Sequence, residues 1–194
     1  MSSSIRLHSS SVRPAERADA KGAEIVVRHD SGGRFSWWGS YALSKAEDRI
    51  EGVWYPRSWD QRHAVNLDLN YRAGQKWNFN ASWTYHTGWP DTGLRIESVE
   101  RNSDGVIVRV GTGPYNALRL PPYHRLDLRV SRWFPLGRGR INAFLEVTNA
   151  YNRKNVCCIG DITVAFDANG AATLIKKYDY WLQIAPSFGL QWDF

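Results

Sequence analysis

The chain has 194 residues, with 10 Trp, 9 Tyr and a formal net charge of +6 that is scattered rather than blocked. No run approaches the ~20 apolar residues of a transmembrane helix, so a helical membrane protein is excluded, and no basic stripe marks a nucleic-acid partner. The mean hydropathy is negative, which leaves a strand-built membrane wall open because alternating strands keep the average low.

Residues 1–21 are rich in Ser, Arg and Ala without a sustained period, and predict a disordered or loosely attached leader. The stretch from Met1 to His8 lacks the apolar core of a signal peptide. Residues 22–194 read as one β-rich unit. A strand is expected near 24–30, followed by the turn Asp30-Ser31-Gly32-Gly33, whose residues tolerate positive φ. Phe35, Trp37, Gly39, Tyr41 and Leu43 then alternate with Ser36, Trp38, Ser40, Ala42 and Ser44, predicting a strand over 34–46. The alternation resumes at 62–73, with Val65, Leu67, Leu69 and Tyr71 against Asn66, Asp68 and Asn70.

The clearest strand is 76–87. Trp77, Phe79, Ala81, Trp83 and Tyr85 share one face, and Asn78, Asn80, Ser82, Thr84 and His86 the other. A helix would spread these aromatics around its circumference. Strands are also expected at 123–134, 140–149 and 182–194, with a small hairpin around Val106 to Val110 and β-rich pieces flanking Asp167-Ala168-Asn169-Gly170. Short connections at 30–33, 73–76 and 135–139 alternate with long ones at 47–61, 87–122 and 149–180. A transmembrane barrel puts short turns on its periplasmic side and long loops outside. The expected fold is all-β: about seven long antiparallel strands of a transmembrane barrel wall, an open sheet in isolation.

The final strand puts Phe188, Leu190, Trp192 and Phe194 on one side, and Ser187, Gly189, Gln191 and Asp193 on the other. It resembles the closing strand of bacterial outer-membrane barrels, which ends in an aromatic residue read by the assembly machinery. Further stretches resemble the C-terminal barrel portion of TonB-dependent outer-membrane receptors. They are 40–48, 56–63, Trp83-Thr84-Tyr85-His86-Thr87-Gly88-Trp89-Pro90, Leu120-Pro121-Pro122-Tyr123-His124-Arg125-Leu126-Asp127, 145–155 and 188–194. The resemblance implies part of a larger barrel of about 22 strands, holding a plug that contacts TonB and couples the proton gradient to uptake of an iron chelate, cobalamin or a glycan. It also implies a place in the cell outer membrane, with lipid, lipopolysaccharide and the barrel-assembly machinery as partners. On this reading the plug is missing, and the chain is a fragment that does not transport alone.

Among candidate sites, Asp68, Asp127, Arg129 and Glu146 fall on the lumen-facing register, as cross-strand pairs or as a ligand path. Asp60 and Arg62 fall near that face. Leu128, Leu145 and Phe79 should point to lipid, and Arg125 and Arg132 are placed on the lipid register near the membrane edges. Trp54, Trp59, Trp89, Tyr115 and Trp181 sit in or beside the long loops, where aromatic rings stack on a chelate or a sugar, or on one another. No two of the five histidines have metal-ligand spacing, and no cofactor is expected. Cys157 and Cys158 are either an oxidised vicinal pair or two free thiols. No nucleophile–base–orienter set appears, so no enzyme is expected; Ser82 and His86 on one strand face are about 13 Å apart. The alternative to a membrane wall is a soluble carbohydrate-binding β-sandwich, which would stay in solution without detergent.

Overall fold

Period-two alternation becomes strand along most of the chain. A computed structural model describes residues 3–7, 14–103 and 105–194, all β and without a helix. The strands are β1 (Ser3–Leu7), β2 (Arg17–Asp30), β3 (Phe35–Ile50), β4 (Val53–Pro56), β5 (His63–Ala73), β6 (Trp77–His86), β7 (Pro90–Asp91) and β8 (Leu94–Asn102). They continue with β9 (Gly105–Thr112), β10 (Leu118–Arg119), β11 (Tyr123–Leu136), β12 (Gly139–Thr148), β13 (Val156–Phe166), β14 (Ala172–Tyr180) and β15 (Ala185–Asp193).

The main sheet has the order β15-β12-β11-β6-β5-β3-β2, with β4 added to β3. Every neighbouring pair on that path is antiparallel. Sequence neighbours along the path are space neighbours, so the connections fall alternately at opposite ends. Gly74 (φ 72°) and Gly137 (φ 57°) supply the left-handed residue in two of the short turns. The long connections gather at the other end and fold into β structure of their own. β8 and β9 form a hairpin joined by β1 in parallel, β7 pairs β10, and β13 pairs β14. The hairpin expected around Val106 to Val110 therefore starts earlier and runs longer.

The sheet is open: β2 and β15 do not pair with each other among the described residues, and no barrel closes. Strand β2 begins at Arg17, inside the stretch expected to be a leader; residues 1–2 and 8–13 of that stretch lie outside the described residues. The early start is paired, Arg17 to Lys21 lying opposite Arg49 to Lys45. Like charges face each other there, which is unfavourable. Ion pairs along each strand offset it, Lys21 with Asp19 at 3.9 Å and Lys45 with Glu47.

Cross-strand register sorts side chains into two faces. One row runs Trp37, Leu69, Ala81, Leu128, Val147, and the next toward the short turns runs Phe35, Tyr71, Phe79, Val130, Leu145, Phe188. On the opposite face run Ser36, Asn70, Asn80, Arg129, Glu146, Ser187. Arg125 belongs to this polar face, and its expected lipid-facing placement is corrected: it lies two residues before Asp127, so the pleat puts both on one side. Arg132, of opposite parity, does lie on the apolar face, between Trp77 and Ala143.

Burial is inverted relative to a water-soluble domain. Among the described residues the buried hydrophobic ones are Val108 and Val110, each 1% exposed, and both belong to the β8–β9 hairpin. Leu145 is 50% exposed and Phe188 87%. Each such side chain forgoes roughly 1.5–3 kcal/mol of burial in water. Two sheets packed as a sandwich would cover them with inner faces about 10 Å apart; among the described residues no second sheet does so. The buried polar residues include Asp60, Asn116, Asn149 and Asn155, all at the long-loop end.

Candidate functional site

The polar face and the long-loop end carry the chemistry. Asp68, Asp127, Arg129 and Glu146 share the polar face, and each is satisfied by a neighbour. Asn80 Nδ2 donates to both Asp68 carboxylate oxygens at 3.1 Å. Asp127 takes the Asn149 N–H at 2.8 Å and the Arg125 guanidinium at 2.8 Å. Arg129 lies 3.4 Å from Glu146 and stacks 3.8 Å above the Phe144 ring. That ring lies over Gly189, where an added Cβ would come within 2.4 Å of it. The face is thus a ladder of closed pairs rather than a set of free charges.

Above it, the loops are held by a knot centred on Asp60, which is 2% exposed. Its carboxylate accepts from the Ala46 N–H at 2.7 Å and from Arg119 Nη2, with Arg62 at 3.9 Å. Arg119 Nη1 also donates to the Asp60 and Gly88 carbonyls, both at 3.0 Å. One guanidinium therefore joins the segment after β4, the segment after β6, and β10. Gly88 permits this approach, since a Cβ there would lie 1.6 Å from the Leu120 carbonyl oxygen. Beside the knot, Asn116 adopts φ 49° and its amide donates to the Pro56 carbonyl at 2.7 Å. Its N–H donates to Thr92 Oγ1 at 3.0 Å.

The structure brings together three of the five loop aromatics. Trp89 meets Trp59 and Trp181 edge-on, each with centroids 6.3 Å apart. It also stacks on His86 at 5.2 Å, and His86 stacks on Tyr123 at 4.9 Å. Tyr115 packs instead against Tyr55 at 5.8 Å, and Trp54 lies on β4 opposite Arg49. The stacking of His86 on Tyr123 escaped the sequence reading because it crosses strands. Two Tyr–His pairs escaped it similarly: Tyr41 Oη with His63 Nδ1 at 2.9 Å, and His124 Nδ1 with Tyr151 Oη at 2.7 Å. Trp83, Tyr85, His124 and Tyr151 line a shallow groove on the apolar face. Burial pushes the Tyr151 phenol up.

A second clamp fixes the chain after β12. Asn149 is 0% exposed, has φ 53°, and donates from Nδ2 to the Arg153 and Leu182 carbonyls at 2.9 and 3.2 Å. Its Oδ1 accepts the Arg153 N–H at 3.0 Å. Asn155 exchanges hydrogen bonds with the His124 backbone at 2.9 and 3.1 Å, and Asn152 accepts the Ile184 N–H at 3.1 Å. The spaced asparagines of 149–155 are thus a device that ties β11, β12 and the approach to β15. Asn149→Ala should lower stability by about 2–3 kcal/mol, from lost hydrogen bonds and a left-handed backbone without Asn. Asn149→Gly should recover the backbone part only. Urea unfolding of both variants in detergent measures the split, and equal losses would assign the whole effect to the amide.

Ser82 is paired across to Asp68 and Asp127, while His86 Nδ1 sits 2.9 Å from the Thr87 carbonyl and is stacked between rings. The two are not joined in a catalytic relay. Cys157 and Cys158 form a disulfide at the start of β13, where the register with β14 shifts between Val156 and Cys158. Among the described residues no three His, Cys, Asp or Glu side chains converge to hold a metal. Phe188, Leu190 and Trp192 lie along the apolar side of β15, facing Leu145, Ala143 and Ile141 across the ladder, and the Phe194 ring packs tilted against Trp192 with centroids 5.5 Å apart. Comparison with protein-family models, curated proteins and solved structures finds no match.

Proposed function

We propose that this sheet is part of the barrel wall of a TonB-dependent outer-membrane receptor, which imports a scarce nutrient such as an iron chelate, cobalamin or a glycan. The observation that carries the reading is the inverted burial. The face of Phe79, Leu128 and Leu145 is uncovered, while the opposite face of Asp68, Asp127, Arg129 and Glu146 is a closed polar ladder. Such a sheet is placed at lowest free energy with hydrocarbon on one side and a water-filled lumen on the other. Aromatic residues at both ends of the apolar band, Trp77 and Phe134 near the short turns and Tyr41, Tyr85 and Tyr151 near the long loops, suit the two membrane interfaces.

In this assignment the long loops face outward. Trp59, Trp89 and Trp181 offer a stacking surface for an incoming ligand. Lipid and lipopolysaccharide cover the apolar face, and Phe188, Leu190, Trp192 and Phe194 serve as the signal to the barrel-assembly machinery. TonB would act through a plug domain, which is not among the strands described. An unpaired strand edge in hydrocarbon costs several kcal/mol per polar group, so transport requires further strands to close the wall.

The test is partition and conductance. The purified chain should need detergent to remain monomeric and should float with liposomes, yet give no discrete conductance in planar bilayers by itself. A monomer stable in plain buffer would overturn the membrane reading, and a stable pore from this polypeptide alone would overturn the partial wall.

A further inference from the structure

Strand β11 carries Arg125, Arg129 and Arg132, and they are treated differently. The first two lie on the polar face, each with a carboxylate, Asp127 and Glu146 respectively. Arg132 lies on the apolar face, in the row of Trp77, Ala143 and Leu190. Its guanidinium carbon lies 4.9 Å from the Trp77 ring centroid and 4.8 Å from that of Phe134. Phe134 is two residues nearer the short turn, so the side chain leans toward the water boundary, as long cationic side chains do on apolar surfaces.

Among the described residues no acid answers this charge. Its Nε is buried without a hydrogen-bond partner, and no ion pair to it exists among the described residues. The acids at this end are engaged elsewhere, Asp30 by Arg28 and Arg72, and Asp193 by Arg140. Around the guanidinium the surface is open and apolar, with Trp77, Phe134 and Leu190 all exposed. A desolvated cation without a partner is costly. On a lipid face that cost is ~2–4 kcal/mol at midplane and ~0–1 at the interface. The residue is thus suited to the headgroup layer and needs an anion that arrives with the membrane.

We infer that Arg132, clasped between Trp77 and Phe134, is a seat for the phosphodiester of a membrane glycerophospholipid at the short-turn end of the sheet. The rings flank the guanidinium on the apolar face, its Nη groups take two phosphate oxygens as a fork, and the acyl chains lie along Ala143, Leu190 and Leu145. The inference rests on the proposed membrane reading and adds to it a specific lipid contact.

Phosphatidylglycerol is titrated against digalactosyl diacylglycerol, which has acyl chains but no phosphate, on the chain folded in dodecyl maltoside micelles. Bound lipid is counted by native mass spectrometry. The unaltered chain should hold phosphatidylglycerol about tenfold more tightly than the galactolipid. Arg132→Gln should abolish that preference, Arg132→Lys should keep part of it, and Trp77→Leu should weaken it with the charge still in place. Arg138→Gln, in the adjacent turn, should leave it unchanged. Equal retention of the two lipids by the unaltered chain, or a preference that survives in R132Q, overturns the inference. So does displacement by a tenfold excess of inorganic phosphate, which would make the site one for a soluble anion. Should R132Q fail to fold, R132K and W77L decide: a preference unchanged in both overturns the seat. Binding of neither lipid removes the membrane reading itself, whereas binding of both without preference leaves that reading standing and removes only this one.

Discussion

Arg119→Ala should lower the unfolding free energy of the detergent-folded chain by about 3–5 kcal/mol, the cost of stranding a buried charge. Asp60 would be left with Arg62 at 3.9 Å and the Ala46 N–H. The Gly88 carbonyl would lose its donor, and the segment after β6 would lose its guanidinium tie to the segment after β4. Urea titration gives the loss, and limited proteolysis should show new cleavage between β6 and β11. Asp60→Asn in the same background should recover part of the stability, because the uncompensated charge is gone. A loss below ~1 kcal/mol for Arg119→Ala would mean that water replaces the guanidinium and that the loops are held by something else.

Leu128→Arg should be nearly as damaging, about 2–4 kcal/mol in a bilayer. Leu128 lies midway along the apolar side of β11, between the rows of Arg132 and His124. The control is Ser187→Arg, which puts the same side chain on the polar face opposite Glu146; it should be close to neutral. The difference between the two is the quantity of interest, and it should shrink when unfolding is followed in water-rich micelles. Equal costs at the two positions would show that the faces are misassigned.

The parts of this fold that could be read from sequence are those where one face is apolar and the other is not. β6 is the clearest, because Trp77, Phe79, Ala81, Trp83 and Tyr85 leave no helical alternative. The start of β2 was not legible: Arg17, Asp19 and Lys21 alternate with Ala and Gly, and their partner strand, not their polarity, makes them extended. Arg125 shows a different failure, since its parity was available in the sequence and only the pleat, applied consistently, settles its side. The polar-face residues could be nominated but not paired. Asp60 and Arg119 are 59 positions apart, and nothing local in either segment announces the other. The stretch 145–155 stood out only through its resemblance, and the role of Asn149 and Asn155 depends on carbonyls of the segment before β15 and of β11.

The alternating strand directions of the main sheet carry a parity rule. With every step antiparallel, the seven strands on the path leave β2 and β15 pointing the same way. Joining those two edges directly, or joining β15 of one copy to β2 of another in the same membrane orientation, would create a parallel seam. Parallel pairing is slightly weaker per residue than antiparallel. A wall that is antiparallel all the way round can be completed only by an odd number of additional strands, the first and last of them running opposite to β2 and β15. Self-association in the same orientation therefore always leaves a mismatched seam, and an antiparallel complement to this sheet has to come from a different β segment.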